Sequence, residues 1–240
     1  MISEAAIWHD LECGSYESDL SCWRDLAAEY GGPILDVGAG TGRVALMLAG
    51  EGYAVTALDL DASLLEALDE RAPSAGITTT CCDARDFSLA ERFNLIIVPM
   101  LTIQLFGGES GRARFLSAAA RHLAPGGCLS VAIADLLDDE HGAAGGETLD
   151  ADVCTLNGAS YSSRAVELKL RDERIGIERR REITTATGSV EQSTSTDWID
   201  TVSADELEAE GAAAGLAIAP RRQIPPDDDY IGSAVICLHG

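Results

Sequence analysis

Three aspartates and a run of glycines are the residues best suited to chemistry in this sequence. Asp36-Val37-Gly38-Ala39-Gly40-Thr41-Gly42 lies between an apolar stretch, residues 34–37, and a helical pattern that begins at Val44. Glycines let a chain turn sharply and approach a ligand without a Cβ in the way. The helix start that follows offers unpaired N–H groups. A dinucleotide loop would read G-x-G-x-x-G. Here the third glycine comes one residue early, and Arg43 follows it. Asp36 would also repel a pyrophosphate, whereas an ammonium group would be attracted to it. The pattern therefore favours a cationic or zwitterionic nucleoside. Asp59 ends a second apolar stretch, where a carboxylate can accept from both hydroxyls of a ribose. Asp83 ends a third, where it can accept from the exocyclic amine of an adenine.

Positioning these acids requires strands that end on one edge. Residues 34–37, 54–58, 77–82, 95–98 and 129–134 are short apolar stretches. Helical patterns separate them at 44–49, 63–71 and 111–123, and Pro125-Gly126-Gly127 is expected to end the last. Residues 3–30 read as helical before the first strand. Apolar strands alternating with amphipathic helices predict an α/β fold, a Rossmann-like parallel sheet with helices on both faces. Ligands bind at the carboxyl ends of such strands, where all three acids fall.

After residue 135 the texture changes. Residues 135–152 are acidic and glycine-rich and read as a loop. Alternating strand patterns follow to residue 201, with a tight turn at Asn157-Gly158. Ser203 and Glu206 match a capping box. The stretches 217–220 and 234–238 should return to the first sheet and add a final antiparallel strand. The expected organisation is therefore one domain from 1–134 and 203–240, with a β-rich insertion at 135–202 as a substrate lid or homodimer contact.

Charge narrows the partners. There are 40 acidic residues against 17 basic ones, a net charge of -23. Such a surface disfavours nucleic acid and anionic lipid, and suits a small neutral or cationic substrate. No apolar run is long enough to span a bilayer. The N-terminal stretch lacks the basic and apolar pattern of a signal peptide. The seven cysteines have no C-x-x-C spacing, so neither a disulfide framework nor a metal site is expected. A cytoplasmic location follows as an expectation.

The segments LDVGAGTGRVALMLA, ALDLDASLL, CDARDF and LAPGGCLSVAI resemble the motifs of class I S-adenosylmethionine-dependent methyltransferases, in order and spacing. The resemblance is strong over 30–134 and weaker over 203–240. It implies S-adenosylmethionine as cofactor and methyl transfer to an N or O atom of a small molecule. It places Asp36 near the methionine amino group, and Gly38, Ala39 and Gly40 against the methionine and ribose. Asp59 would take the ribose hydroxyls, with Leu60 flanking the adenine. Asp83 would take the adenine amine, with Ala84 beside the ring. Pro99 and Met100 would lie near the transferred methyl, and Tyr16 would close over the cofactor. Arg24 or Arg43 could pair with the methionine carboxylate. The Asn/Asp-Pro-Pro-Tyr sequence of amine methyltransferases acting on DNA or glutamine is replaced here by Val98-Pro99-Met100-Leu101.

The sequence names no catalytic base. His141, in the acidic loop on the ligand edge, is the candidate. His122 is expected on a solvated face. Thr102, Gln104, Tyr161 and Trp198 could contact substrate, and Arg179–Arg181 reads as solvated strand charge. A nicotinamide-dependent reductase is the alternative enzyme, disfavoured by the glycine spacing and by the absence of a Tyr-x-x-x-Lys pair. A non-catalytic scaffold that binds S-adenosylmethionine is the alternative without chemistry.

Overall fold

A computed structural model describes residues 2–72, 76–134, 151–172, 174–226 and 232–240. The expected opening helix is two helices, α1 (Glu4–Cys13) and α2 (Leu20–Tyr30). Ser3 caps α1 by accepting from the Ala6 amide at 3.1 Å, and the chain leaves the helix at Gly14. Helical periodicity alone did not reveal that break.

Five strands then alternate with three helices. They are β1 (Ile34–Val37), α3 (Arg43–Gly50), β2 (Val55–Asp59), α4 (Ala62–Arg71), β3 (Ile77–Cys81), β4 (Phe93–Val98), α5 (Glu109–His122) and β5 (Leu123–Ile133). β1 is buried throughout and β4 nearly so, as continuous apolar runs covered on both faces should be. One difference concerns Pro125-Gly126-Gly127. It does not end α5 but lies inside β5, which starts at once after His122 and shifts register against β4 between Phe93 and Leu95.

Four antiparallel strands follow: β6 (Asp152–Leu156), β7 (Ala159–Arg171), β8 (Arg174–Thr184) and β9 (Val190–Asp200). Asn157 and Gly158 turn between β6 and β7 with φ of 53° and 79°, the left-handed pair such a hairpin needs. α6 (Ala204–Ala213) opens on the expected box between Ser203 and Glu206. β10 (Ala217–Ile224) and β11 (Ser233–His239) complete the first sheet.

The strand order is β10-β11-β5-β4-β1-β2-β3, with β1 to β5 parallel and β11 antiparallel to both neighbours. β6 to β9 form a separate sheet. Two apolar clusters cover the two faces of the first sheet. One centres on Phe93, Phe115 and Leu129, the other on Trp23, Leu48 and Leu95. No helix among the described residues is long and apolar enough to cross a membrane.

Candidate active site

Parallel pairing brings the ends of β1, β2 and β3 to one edge. Asp36, Gly38, Ala39, Asp59, Leu60, Asp83, Ala84, Pro99 and Met100 all line a single cleft of about 740 Å³ there. A wider crevice of about 1690 Å³ lies between α5, α6 and the second sheet, but holds none of the strand-end acids. Its wall is closed by ion pairs of Arg112 with Glu210 and Asp200.

Asp36 is 1% exposed, and neither carboxylate oxygen has a hydrogen-bond partner. Burial pushes its pKa up to about 7, against the opposing pull of the Arg43 guanidinium. A buried carboxylate without a partner is costly, and Asp36 lies in the lining of the cleft. Gly38 and Gly40 have φ of 71° and 55°, a region that side chains resist. The space a Cβ would fill at Gly38 is 2.4 Å from the Thr102 methyl. Met100 also holds a positive φ, 56°, where the chain leaves β4.

Asp59 anchors the glycine loop. Its Oδ2 accepts from the Gly40 amide at 2.8 Å and its Oδ1 from the Asp61 amide at 2.9 Å. Leu60 beside it is 69% exposed, an apolar surface open to a flat ring. Asp83 is more occupied than expected. It caps the short turn at Ala84 by accepting from the Arg85 amide, and the Arg85 side chain grips both its oxygens. That hydrogen bonding lowers its pKa to about 2.

Several sequence-level candidates fall elsewhere. Tyr16 is 4% exposed and is not among the cleft-lining residues. Its ring stacks against the Arg43 guanidinium at 5.1 Å, and its carbonyl accepts from Arg43. Arg43 lines the cleft but is held bidentately by Asp19, itself fully buried. Arg24 pairs with Glu51 on the surface. Gln104 is a buried clasp that ties the backbone of Ala134 to that of Asp200. Thr102 does line the cleft, beside Gly38, and its hydroxyl donates to the Pro99 carbonyl. His122 is buried rather than solvated, because its Nε2 accepts from the Leu89 amide and its Nδ1 lies 2.7 Å from the Ala118 carbonyl. Trp198 packs over Gly176, and Tyr161 meets Trp8 edge-on. His141 lies outside the described residues.

The largest surprise is the roof. α1 and the second sheet cover the cleft, contributing Trp8, His9, Glu12, Ile177, Arg179, Arg181, Asp197 and Ile199. Glu12 joins the two elements by accepting from Arg181 Nε and NH2, both at 2.7 Å, and from Ser163 at 2.7 Å. Burial favours the neutral Glu12 acid, but those hydrogen bonds outweigh it and hold the pKa below the usual range. Nothing in the spacing of α1 marks His9 or Glu12 as cleft residues, since their partners lie far along the chain.

With this geometry in view, comparison with known proteins places the chain. Residues 34–127 match the methyltransferase domain family. Over 97 residues the sequence is 30% identical to the cypemycin N-terminal methyltransferase of a Streptomyces species, a match spanning 40% of each protein. Solved structures extend the likeness to the whole fold. DesVI of Streptomyces venezuelae superposes with a TM-score of 0.77 at 21% identity, covering 98% of both chains. CalS10 of Micromonospora echinaspora, an amino pentose methyltransferase solved with S-adenosylmethionine, superposes at 0.74 with 18% identity, covering 100% of this chain and 97% of that one. Residues 34–127 therefore match a methyltransferase domain, and the chain as a whole shares the Rossmann-like fold of these solved methyltransferases.

Proposed function

We propose that this protein transfers the methyl group of S-adenosylmethionine to a nitrogen atom of a small, neutral or cationic molecule. The observation that carries the reading is Asp36, a buried carboxylate with no partner that faces a cleft floored by a glycine loop. When bound, S-adenosylmethionine supplies a methyl group already activated on a positively charged sulfur. Asp36 suits its ammonium group. Asp59 suits the ribose diol, with acceptor capacity left beyond its two backbone bonds. Leu60 and Ala84 offer apolar surface to the adenine, and Asp83 accepts the adenine amine in competition with Arg85. Pro99 and Met100 close the side toward the acceptor. Tyr16 contributes by supporting Arg43.

The rest of the work is alignment and exclusion of water. The roof of α1, β8 and β9 performs that role. Its mixture of carboxylates and paired arginines fits an amine-bearing acceptor better than a polyanion. A nitrogen acceptor agrees with the names of two relatives, one an N-terminal methyltransferase and the other an amino pentose methyltransferase. A second copy of the chain could use the exposed Leu168 and Leu170 of β7 as a contact, and a cytoplasmic location suits such chemistry.

Calorimetry with S-adenosylmethionine, its demethylated product and NADH tests the reading. The first two should bind and NADH should not. Methyl transfer from labelled cofactor to a panel of amino sugars should follow. Failure of both S-adenosylmethionine and its product to bind would overturn the proposal. Asp59→Ala should weaken cofactor binding by about 1 to 3 kcal/mol, the range for hydrogen bonds to a charged group.

A further inference from the structure

α1 carries different residues toward different walls of the cleft. Trp8 and Glu12 meet the second sheet. His9 and Asp10 meet the glycine loop, where Thr41 links them. Asp10 is paired with Arg71, and its pKa is lowered: burial opposes, but the bonds from Arg71 and Thr41 prevail. It is therefore a carboxylate and can only accept. The Thr41 hydroxyl must spend its one hydrogen on Asp10 Oδ1, 2.6 Å away. Its lone pair then faces His9 Nδ1 at 3.2 Å, so Nδ1 carries the imidazole hydrogen. Nε2 is left as an unprotonated acceptor. Burial lowers the pKa of His9 despite the charges of Asp10 and Asp59, so the neutral ring prevails at neutral pH.

Nε2 points at the glycine loop. The space a Cβ would occupy at Gly40 is 2.2 Å from it. The amide of the same Gly40 donates to Asp59. His9 and Asp59 thus flank one peptide, and His9 lines the cleft while Gly40 does not.

We propose that His9, its tautomer set by the Asp10–Thr41 relay, is a cofactor-binding residue whose Nε2 accepts a hydrogen bond from a ribose hydroxyl of the nucleoside held at Asp59. The proposal rests on the reading of the cleft as an S-adenosylmethionine site. It gives α1 a role in closing the site, because the helix that reaches the nucleoside is also the one bound to the roof through Glu12.

The test is calorimetry with S-adenosylhomocysteine and its 2′-deoxy and 3′-deoxy analogues. His9→Asn keeps a donor near Thr41 but has no group at the Nε2 position; His9→Gln restores an acceptor there. The Asn variant should bind S-adenosylhomocysteine about tenfold more weakly, the upper range for one neutral hydrogen bond. It should bind one of the deoxy analogues as well as wild type does, and the Gln variant should recover most of the loss. Equal losses for all three ligands, or no loss at all, would overturn the proposal. Thermal melts of both variants establish that they are folded. If wild type binds S-adenosylhomocysteine and only the histidine effect is missing, the broader reading stands; if wild type binds none of the ligands, that reading fails with it.

Discussion

At the scale of single residues, Asp36 shows a conflict between stability and function. Its folded pKa, about 7, lies above the ordinary carboxylate value. The ionised form is therefore disfavoured by folding, and its cost grows from about pH 4 to pH 7 and stays level above that. Asp36→Asn removes the cost. The variant should melt at a higher temperature than wild type at pH 8 and show a distinctly smaller gain at pH 5, by differential scanning fluorimetry without ligand. The same change should weaken S-adenosylmethionine binding by tenfold or more, since an amide oxygen can accept from an ammonium but carries no charge to pair with it. A variant less stable than wild type at pH 8 would show that the carboxylate has a partner in the fold. That Asp36, Asp59 and Asp83 would meet on one edge was legible from position alone, because a short apolar strand announces where its carboxyl end lies. His9 was not legible: its role depends on Thr41 and Asp10 meeting it from 32 and 31 residues apart in sequence.

At the scale of elements, α1 is the piece whose importance the sequence hid. Its apolar pattern predicts packing, and Ala6, Ile7 and Trp8 are indeed buried. What the helix joins is set by Glu12, which bonds to Ser163 and Arg181, 151 and 169 residues away. Because the folded pKa of Glu12 is depressed, its contribution is present above the ordinary glutamate pKa and is lost as pH falls below it. Glu12→Gln should cost roughly 1 to 3 kcal/mol at pH 7. Amide exchange should quicken in α1 and at the Ser163 end of β7, while β1 and β4 stay protected. Unchanged exchange in α1 would mean that Trp8 packing alone holds the roof. The capping box of α6 marks the opposite case. Ser203 and Glu206 lie three positions apart, so a local pattern carried the whole signal.

At the scale of the molecule, a net charge of -23 opposes compaction. Many of the cations are already paired, among them Arg43, Arg71, Arg112 and Arg181. The unpaired excess is negative and repels itself. Raising sodium chloride from about 10 mM to about 200 mM shortens the Debye length to below 10 Å and should raise the melting temperature. A fall would mean that the ion pairs, which salt also weakens, outweigh the general repulsion. Asp36, Asp59 and Asp83 are acids with a place in the cleft, whose lining also holds Asp61, Asp197 and the arginines Arg43, Arg85, Arg179 and Arg181.

The sequence by itself determined the order of strands and helices, the glycine loop, the edge on which the three acids meet, and the antiparallel texture of the later strands. Each of these is written in residues a few positions apart, where strand and helix periods and turn propensities act. Only the tertiary structure decided what closes the cleft. It showed that Tyr16 lies beneath Arg43, that Arg85 already holds Asp83, that Gln104 is a clasp, and that a histidine from the first helix stands over Gly40. Those outcomes depend on side chains from distant segments competing for the same hydrogen bonds, and such competition has no period that a linear sequence can display.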